Sequence, residues 1–294
     1  MNIPKIHHYL PQSYLQGFCS EGYAYVLNIN KKHIKRLPTM RIAAIKHFYK
    51  FIDEAGKTTT SLEIPFFSKI DSSAIKIIRK LEKLGKINYS EKKSLALFIG
   101  LLMTRVPAYE NQIKKDYDKL CKFILKQTYY SLENTKRIIQ GNSEEESFDP
   151  KKTEEFYKFV QSENYRITPH HSQFLQIMVD NGIHLANYFL QMNWVICIKN
   201  GTTSFITTDN PVTLVPPENY RPGFWGVGIT TKGAKKIIPL SSNICLLILD
   251  KGNKLRFKRV KDFIIQEMNH KIARNCEEYV YSIDEKSLAE TFKI

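Results

Sequence analysis

The chain has 294 residues, 43% hydrophobic and 12% aromatic, enough for a buried core in one large domain or two modest ones. This composition argues against a disordered or fibrous protein. Lys and Arg number 44 against 29 Asp and Glu, a net charge of +15, which points to polyanionic partners, with nucleic acid ahead of an anionic membrane surface and a merely lysine-rich composition as the bland alternative.

The N-terminal segment opens with His7-His8-Tyr9-Leu10-Pro11-Gln12-Ser13-Tyr14-Leu15. A terminus so rich in imidazole and phenol is expected to be tied into the fold. Pro11 starts one or two helical turns that end near Gly17, so the histidines lie just before a helix N-terminus, a natural seat for an anion. Tyr23 to Ile29 and His33 to Leu37 read as a hairpin. Residues 31 to 50 hold seven Lys or Arg and no acid. Helical spacing runs from Ser61 to Leu84 and stops at Gly85, then resumes behind a Ser90-Glu91 cap. The stretch Leu95 to Met103 is apolar all round and central to a core, and Arg105 follows it. Further helical pattern covers Tyr109 to about Ile139, Lys152 to Gln161 and His170 to Gln191, with an acidic linker from Gly141 to Pro150.

After Met192 the period shortens to that of strands. Trp194 to Ile198 is one, Asn200-Gly201 signals a hairpin, and Ser204 to Thr207 is the returning strand. Ile237 to Leu240 and Ile244 to Leu249 are two more, Val260 to Asn275 is a closing helix, and Tyr279 to Ser282 is a last strand. The fold class is α+β, a single domain over 1–294. A central helical bundle (about 61–191) packs on a mainly antiparallel sheet built from the C-terminal strands (192–294) and the N-terminal hairpin (1–60).

Five cysteines, far apart and without a C-x-x-C pair, argue against a disulfide framework or zinc knuckle and suit a reducing cytoplasm. No apolar leader opens the chain and no apolar run exceeds strand length, so a cytoplasmic protein without a transmembrane segment is expected. Phosphate-loop, dinucleotide-fold, nucleophile-elbow and H-E-x-x-H zinc motifs are all missing.

Four residues are candidates for chemistry. His7 and His8 suit a general base, a metal ligand or a phosphate contact, or merely pin the terminus. On a strand only one of them faces a given pocket, whereas before a helix both converge. Asp209, at a strand end before Asn210-Pro211, orients a histidine, binds a metal, or caps an Asx turn. Arg105, at the end of a buried helix, needs a partner: a carboxylate such as Asp209 or Glu63, or a substrate phosphate. Tyr9, Gln12, Tyr14, Asn210, Lys35 and Arg36 are candidate substrate contacts, and His8, Asp209 and Glu63 are candidate ligands for a divalent metal. The pair His170-His171 reads as mainly structural, and Asn269-His270 lies on the closing helix within reach of the sheet, with no role demanded of it.

The pattern His7-His8-Tyr9-x-Pro11-x-x-Tyr14-Leu15-x-x-Phe18 resembles the opening signature of a bacterial family, domain of unknown function 4238. The similarity continues through Phe48-Tyr49, Glu63, Arg105-Val106-Pro107, Trp194, Thr207-Thr208-Asp209-Asn210-Pro211 and Tyr279-Val280-Tyr281-Ser282. Thr208 stands where the family has Ser, and Val106 where it has Thr. The resemblance implies a bacterial, stand-alone, cytoplasmic protein of a kind suspected in anti-phage defence or as a toxin, and it supplies no reaction. The leading expectation is a nuclease-like effector acting on RNA or DNA. In it His7 or His8 is base, acid or ligand, Asp209 a ligand or histidine orienter, and Arg105 a phosphate clamp. The alternative is a non-catalytic module that binds nucleic acid, nucleotide or protein, with these motifs as structural latches.

Overall fold

The structure, a computed structural model, describes residues 6–52, 58–59, 66–142, 149–221 and 226–292. β1 (Ile6–His8) runs through Pro11 into a single turn, α1 (Gln12–Leu15), followed by a 3-10 turn, Gln16–Phe18. The expected hairpin is β2 (Tyr23–Asn28) with β3 (His33–Pro38), and β4 (Ala44–Lys46) comes back to pair antiparallel with β1, setting His7 opposite Ile45. β5 (Phe51–Ile52) and β6 (Thr58–Thr59) form a short ribbon.

The helices follow: α2 (Ser68–Leu84), α3 (Tyr89–Thr104), α4 (Pro107–Thr128), α5 (Leu132–Asn142), α6 (Pro150–Ser162) and α7 (His171–Leu190). α2 stops at Gly85, whose φ of +60° is left-handed and suits a residue without Cβ. α3 is capped two residues earlier than Ser90-Glu91 suggests. Asn88 accepts from the Glu91 N–H while the Glu91 carboxylate takes the Asn88 N–H, a reciprocal capping box. The all-apolar middle of α3 is buried as expected, with Leu95, Phe98, Ile99 and Leu102 fully covered. α3 lies against α7 almost backbone to backbone: a Cβ on Gly100 would meet the Gly182 carbonyl oxygen at 2.1 Å.

The C-terminal part holds β7 (Met192–Lys199), β8 (Thr207–Thr208), β9 (Thr213–Val215), β10 (Lys235–Pro239), β11 (Ile244–Lys251), β12 (Leu255–Val260), α8 (Asp262–Ala273), β13 (Tyr279–Ser282) and α9 (Glu285–Phe292). The class is α+β, but the expected single sheet is two. One has the order β12-β7-β11-β10-β9, antiparallel except for β12, which runs parallel to β7. The other has the order β3-β2-β13-β8, so the N-terminal hairpin is completed by the last strand of the chain. Asn200-Gly201 does not close a hairpin. Residues 200–206 cross from the first sheet to the second, because Phe205 and Ile206 are both fully buried and leave no solvent face for a return strand. The Asp262 carboxylate accepts the N–H groups of Thr202 and Thr203, and Asn269 holds the Ile206 N–H and the Ser204 carbonyl.

Two compact units are distinguished within the chain, Met1–Tyr109 with Leu175–Ile294, and Glu110–Phe174. The first carries both sheets and the core around Phe205, Ile206, Ile265 and Val280. The second is helical, with Tyr129 edge-on to Phe156 and Asp118 accepting the Ile167 N–H at 2.7 Å. No helix among the described residues is long and apolar enough to cross a membrane.

Candidate functional site

The two histidines lie on a strand, so they do not converge; the alternation of β1 sends them to opposite faces. His7 is fully buried. Its Nδ1 accepts the Tyr49 backbone N–H at 2.7 Å, and its ring stacks on Tyr49 at 5.7 Å between centroids. Nδ1 therefore carries a lone pair and no proton in this arrangement. His8 is half-buried and faces a cavity of about 450 Å³. The Gln12 amide nitrogen lies 3.0 Å from His8 Nε2. Burial holds the His8 imidazole below its ordinary pKa of 6.5, and backbone hydrogen bonds to Met40 and Thr39 partly oppose that.

The far wall of the same cavity is Arg105 with Phe67, Asp71 and Ser72. Arg105 caps α3 and is 1% exposed. Among the described residues its partner is Asp71 and not Asp209, and Glu63, the other expected carboxylate, lies outside them. Nη1 and Nη2 donate to the two carboxylate oxygens of Asp71 at 3.1 and 2.9 Å, and the rings of Phe67 and Phe98 lie 5.4 and 5.6 Å from the guanidinium carbon. Asp71 was missed because nothing in the helical spacing of α2 marks which of its acids turns inward. The one available signal was that a buried arginine requires a carboxylate on an element packed beside it. The Nε–H of Arg105 is buried and has no acceptor among the described residues. With the end-on edge of the guanidinium matched to Asp71, the side-on edge, Nε–H and one Nη–H, is left for another planar or tetrahedral oxyanion.

The structure puts Asp209 elsewhere. Its side chain is 5% exposed, and its oxygens accept the backbone N–H groups of Glu277, Glu278 and Tyr279 at 2.9, 2.7 and 2.9 Å. It fastens the turn between α8 and β13 instead of orienting a histidine or capping its own Asx turn. Burial pushes its pKa up, and the three N–H groups pull it back. Asn210 donates its N–H to Thr208 Oγ1 and accepts from Asn275 through its carbonyl. Tyr9 and Tyr14 are buried: the Tyr9 hydroxyl bonds that of Tyr281, and the Tyr14 hydroxyl bonds Thr207 Oγ1 and the Pro239 carbonyl, each at 2.8 Å. Tyr14 thereby joins the N-terminal segment to both sheets. Of the six candidate contacts only Gln12 lines the cavity.

Lys35 and Arg36 are exposed on β3, the outer strand of its sheet, and Arg36 pairs with Glu21 at 3.1 Å and covers Tyr23. Arg256, Lys258 and Arg259 are exposed on β12, the outer strand of the other sheet. Such charges also keep edge strands from pairing with other chains. His170 sits before α7, its Nδ1 2.8 Å from Ser172 Oγ, a structural role as expected. Among the described residues no group of three or more His, Cys, Asp or Glu comes together as a metal site. Glu63, a proposed ligand, lies outside the described residues.

A family model described as Protein of unknown function (DUF4238) matches residues 6–286. The chain belongs to this family. The match takes in both the N-terminal histidine segment, whose Tyr14 bonds strands of both sheets, and the Asp209 motif, which in this DUF4238 member fastens the turn into β13. No curated protein and no solved structure matches the chain.

Proposed function

We propose that this DUF4238 protein acts on a nucleic-acid phosphodiester at the cavity beside His8, as a nuclease-like effector. The observation that supports the reading is the meeting in one cavity of a half-buried imidazole and a buried arginine whose Nε–H lacks an acceptor among the described residues. Burial keeps His8 neutral at neutral pH, the state in which it takes up a proton. With RNA, that proton leaves a ribose 2′-hydroxyl, the 2′-oxygen attacks phosphorus, and the 5′-oxygen departs and is protonated by water. The side-on edge of Arg105 faces the charge that grows on the phosphoryl oxygens.

The test is incubation of the purified chain with single-stranded RNA and DNA, with and without a divalent metal. Cleavage is expected, reduced by about 10²-fold or more in His8→Ala with the circular dichroism spectrum unchanged. RNA and DNA that both stay intact under every condition overturn the reading.

A second reading, a non-catalytic binding module, is favoured by the occupation of Arg105 by Asp71 and of Asp209 by the backbone. It predicts nucleic acid or nucleotide bound and left whole, with His8→Ala changing affinity or melting temperature alone.

A further inference from the structure

The unit that carries the sheets buries two lysines, and it holds them differently. Lys92 on α3 donates to the carbonyls of Leu190 and Met192 at 3.1 and 3.2 Å and lies 5.2 Å over the Trp194 ring. Lys236 on β10 is 1% exposed and donates only to the Ala234 carbonyl, at 3.1 Å. Two of its three N–H bonds have no acceptor among the described residues. Asp250 acts on it through space, and Asp250 Oδ1 already takes the Gly233 N–H at 2.8 Å.

The position makes this ammonium unusual. Lys236 stands on an inner strand, in the cross-strand row Trp194–Ile248–Lys236–Leu214. Ile237 beside it faces the core on the other side of the sheet. A cation in an apolar row needs a partner, because burial without one is costly. Lys236 lines a cavity of about 320 Å³ whose wall includes Tyr188, Met192 and Ile229, with the exposed Lys232 and Lys251 also on it. The volume falls within the range of small-molecule sites. This lining shares no residue with the His8 cavity.

We infer that this cavity binds a small carboxylate with an apolar body. Its two oxygens take the two spare N–H bonds of Lys236, and its body lies on Tyr188, Met192 and Ile229. Asp250 also lines the cavity, with one oxygen held by the Gly233 N–H; against its single negative charge stand Lys236, Lys232 and Lys251, and this excess of positive charge draws an anion to the site.

The experiment is titration of the full chain with hexanoate and with benzoate, followed by calorimetry. Hexanamide, benzamide and inorganic phosphate are the controls. Saturable binding of at least one carboxylate is expected, at least tenfold tighter than its amide or phosphate. Lys236→Gln should weaken it at least tenfold. Ile229→Trp, a half-buried loop position outside the core, should fill the cavity and do the same, and it decides the matter if Lys236→Gln fails to fold. No saturable binding of either carboxylate, equal binding of the amide or phosphate, or undiminished binding in the folded variants overturns the assignment.

Discussion

At Arg105 two chemistries share one side chain. Its end-on edge is matched to Asp71 and its faces are covered by Phe67 and Phe98, which fixes the guanidinium with its Nε–H buried and unmatched among the described residues. His8 is the more adaptable member, half-buried and touched by an exposed glutamine. Its lowered pKa has a consequence for stability. The folded state holds this proton less tightly than the unfolded chain does, so the contribution of His8 is fully present above about pH 6.5 and is lost as pH falls toward the folded value. Melting at pH 7.5 and 5.5 should therefore show the wild type losing ground to His8→Gln on the acid side. A difference in Tm that is the same at both pH values would contradict this.

At the scale of elements, the contact of α3 with α7 is the least forgiving. Gly100 faces the Gly182 carbonyl and the Ala186 N–H, and both obstacles are backbone. Neither can yield by a rotamer change, so the helices must part. Gly100→Ala should destabilise by about 3 kcal/mol or more in urea unfolding, in the manner of an overpacked core. A loss below about 1 kcal/mol would show that α7 shifts freely. The same scale shows what was legible in the chain. The α3 core, the Gly85 stop and the β2–β3 hairpin follow from local spacing and caps, and local rules govern them. Asn200-Gly201 misled because burial of Phe205 and Ile206 overrode a turn preference. α9 was missed because it is short and lies beyond the last strand; its one signal was Asp284, whose carboxylate accepts the Ser287 N–H at 2.7 Å as an N-cap. The partners Arg105–Asp71 and the solitary Lys236 depend on which helix or strand lies opposite, and no spacing within one element encodes that.

For the whole molecule, the charge of +15 is spread in part along two outer strands, β3 and β12. Lysine and arginine there suit sequence-independent contact with phosphates, whose release of counterions makes binding steeply salt-dependent. Anisotropy of a labelled single-stranded RNA should show affinity falling linearly on logarithmic axes as salt rises. Lys35→Gln with Arg36→Gln should lower the slope by roughly 1 to 2 and weaken all sequences alike. A slope near zero in the wild type would leave the charge without a polyanion to meet.

The last strand completes the sheet that the first hairpin begins, and Tyr14 near one end of the chain is bonded to Thr207 and Pro239 far along it. During synthesis the N-terminal segment leaves the ribosome long before its partners exist. The β2–β3 hairpin waits with one edge bare until residues 279–282 have been made. The α1 turn, which carries Gln12 and Ser13 of the cavity wall, is thus anchored through Tyr14 only once residues 207 and 239 have been made, so a copy that stops before them carries the motif without its anchor.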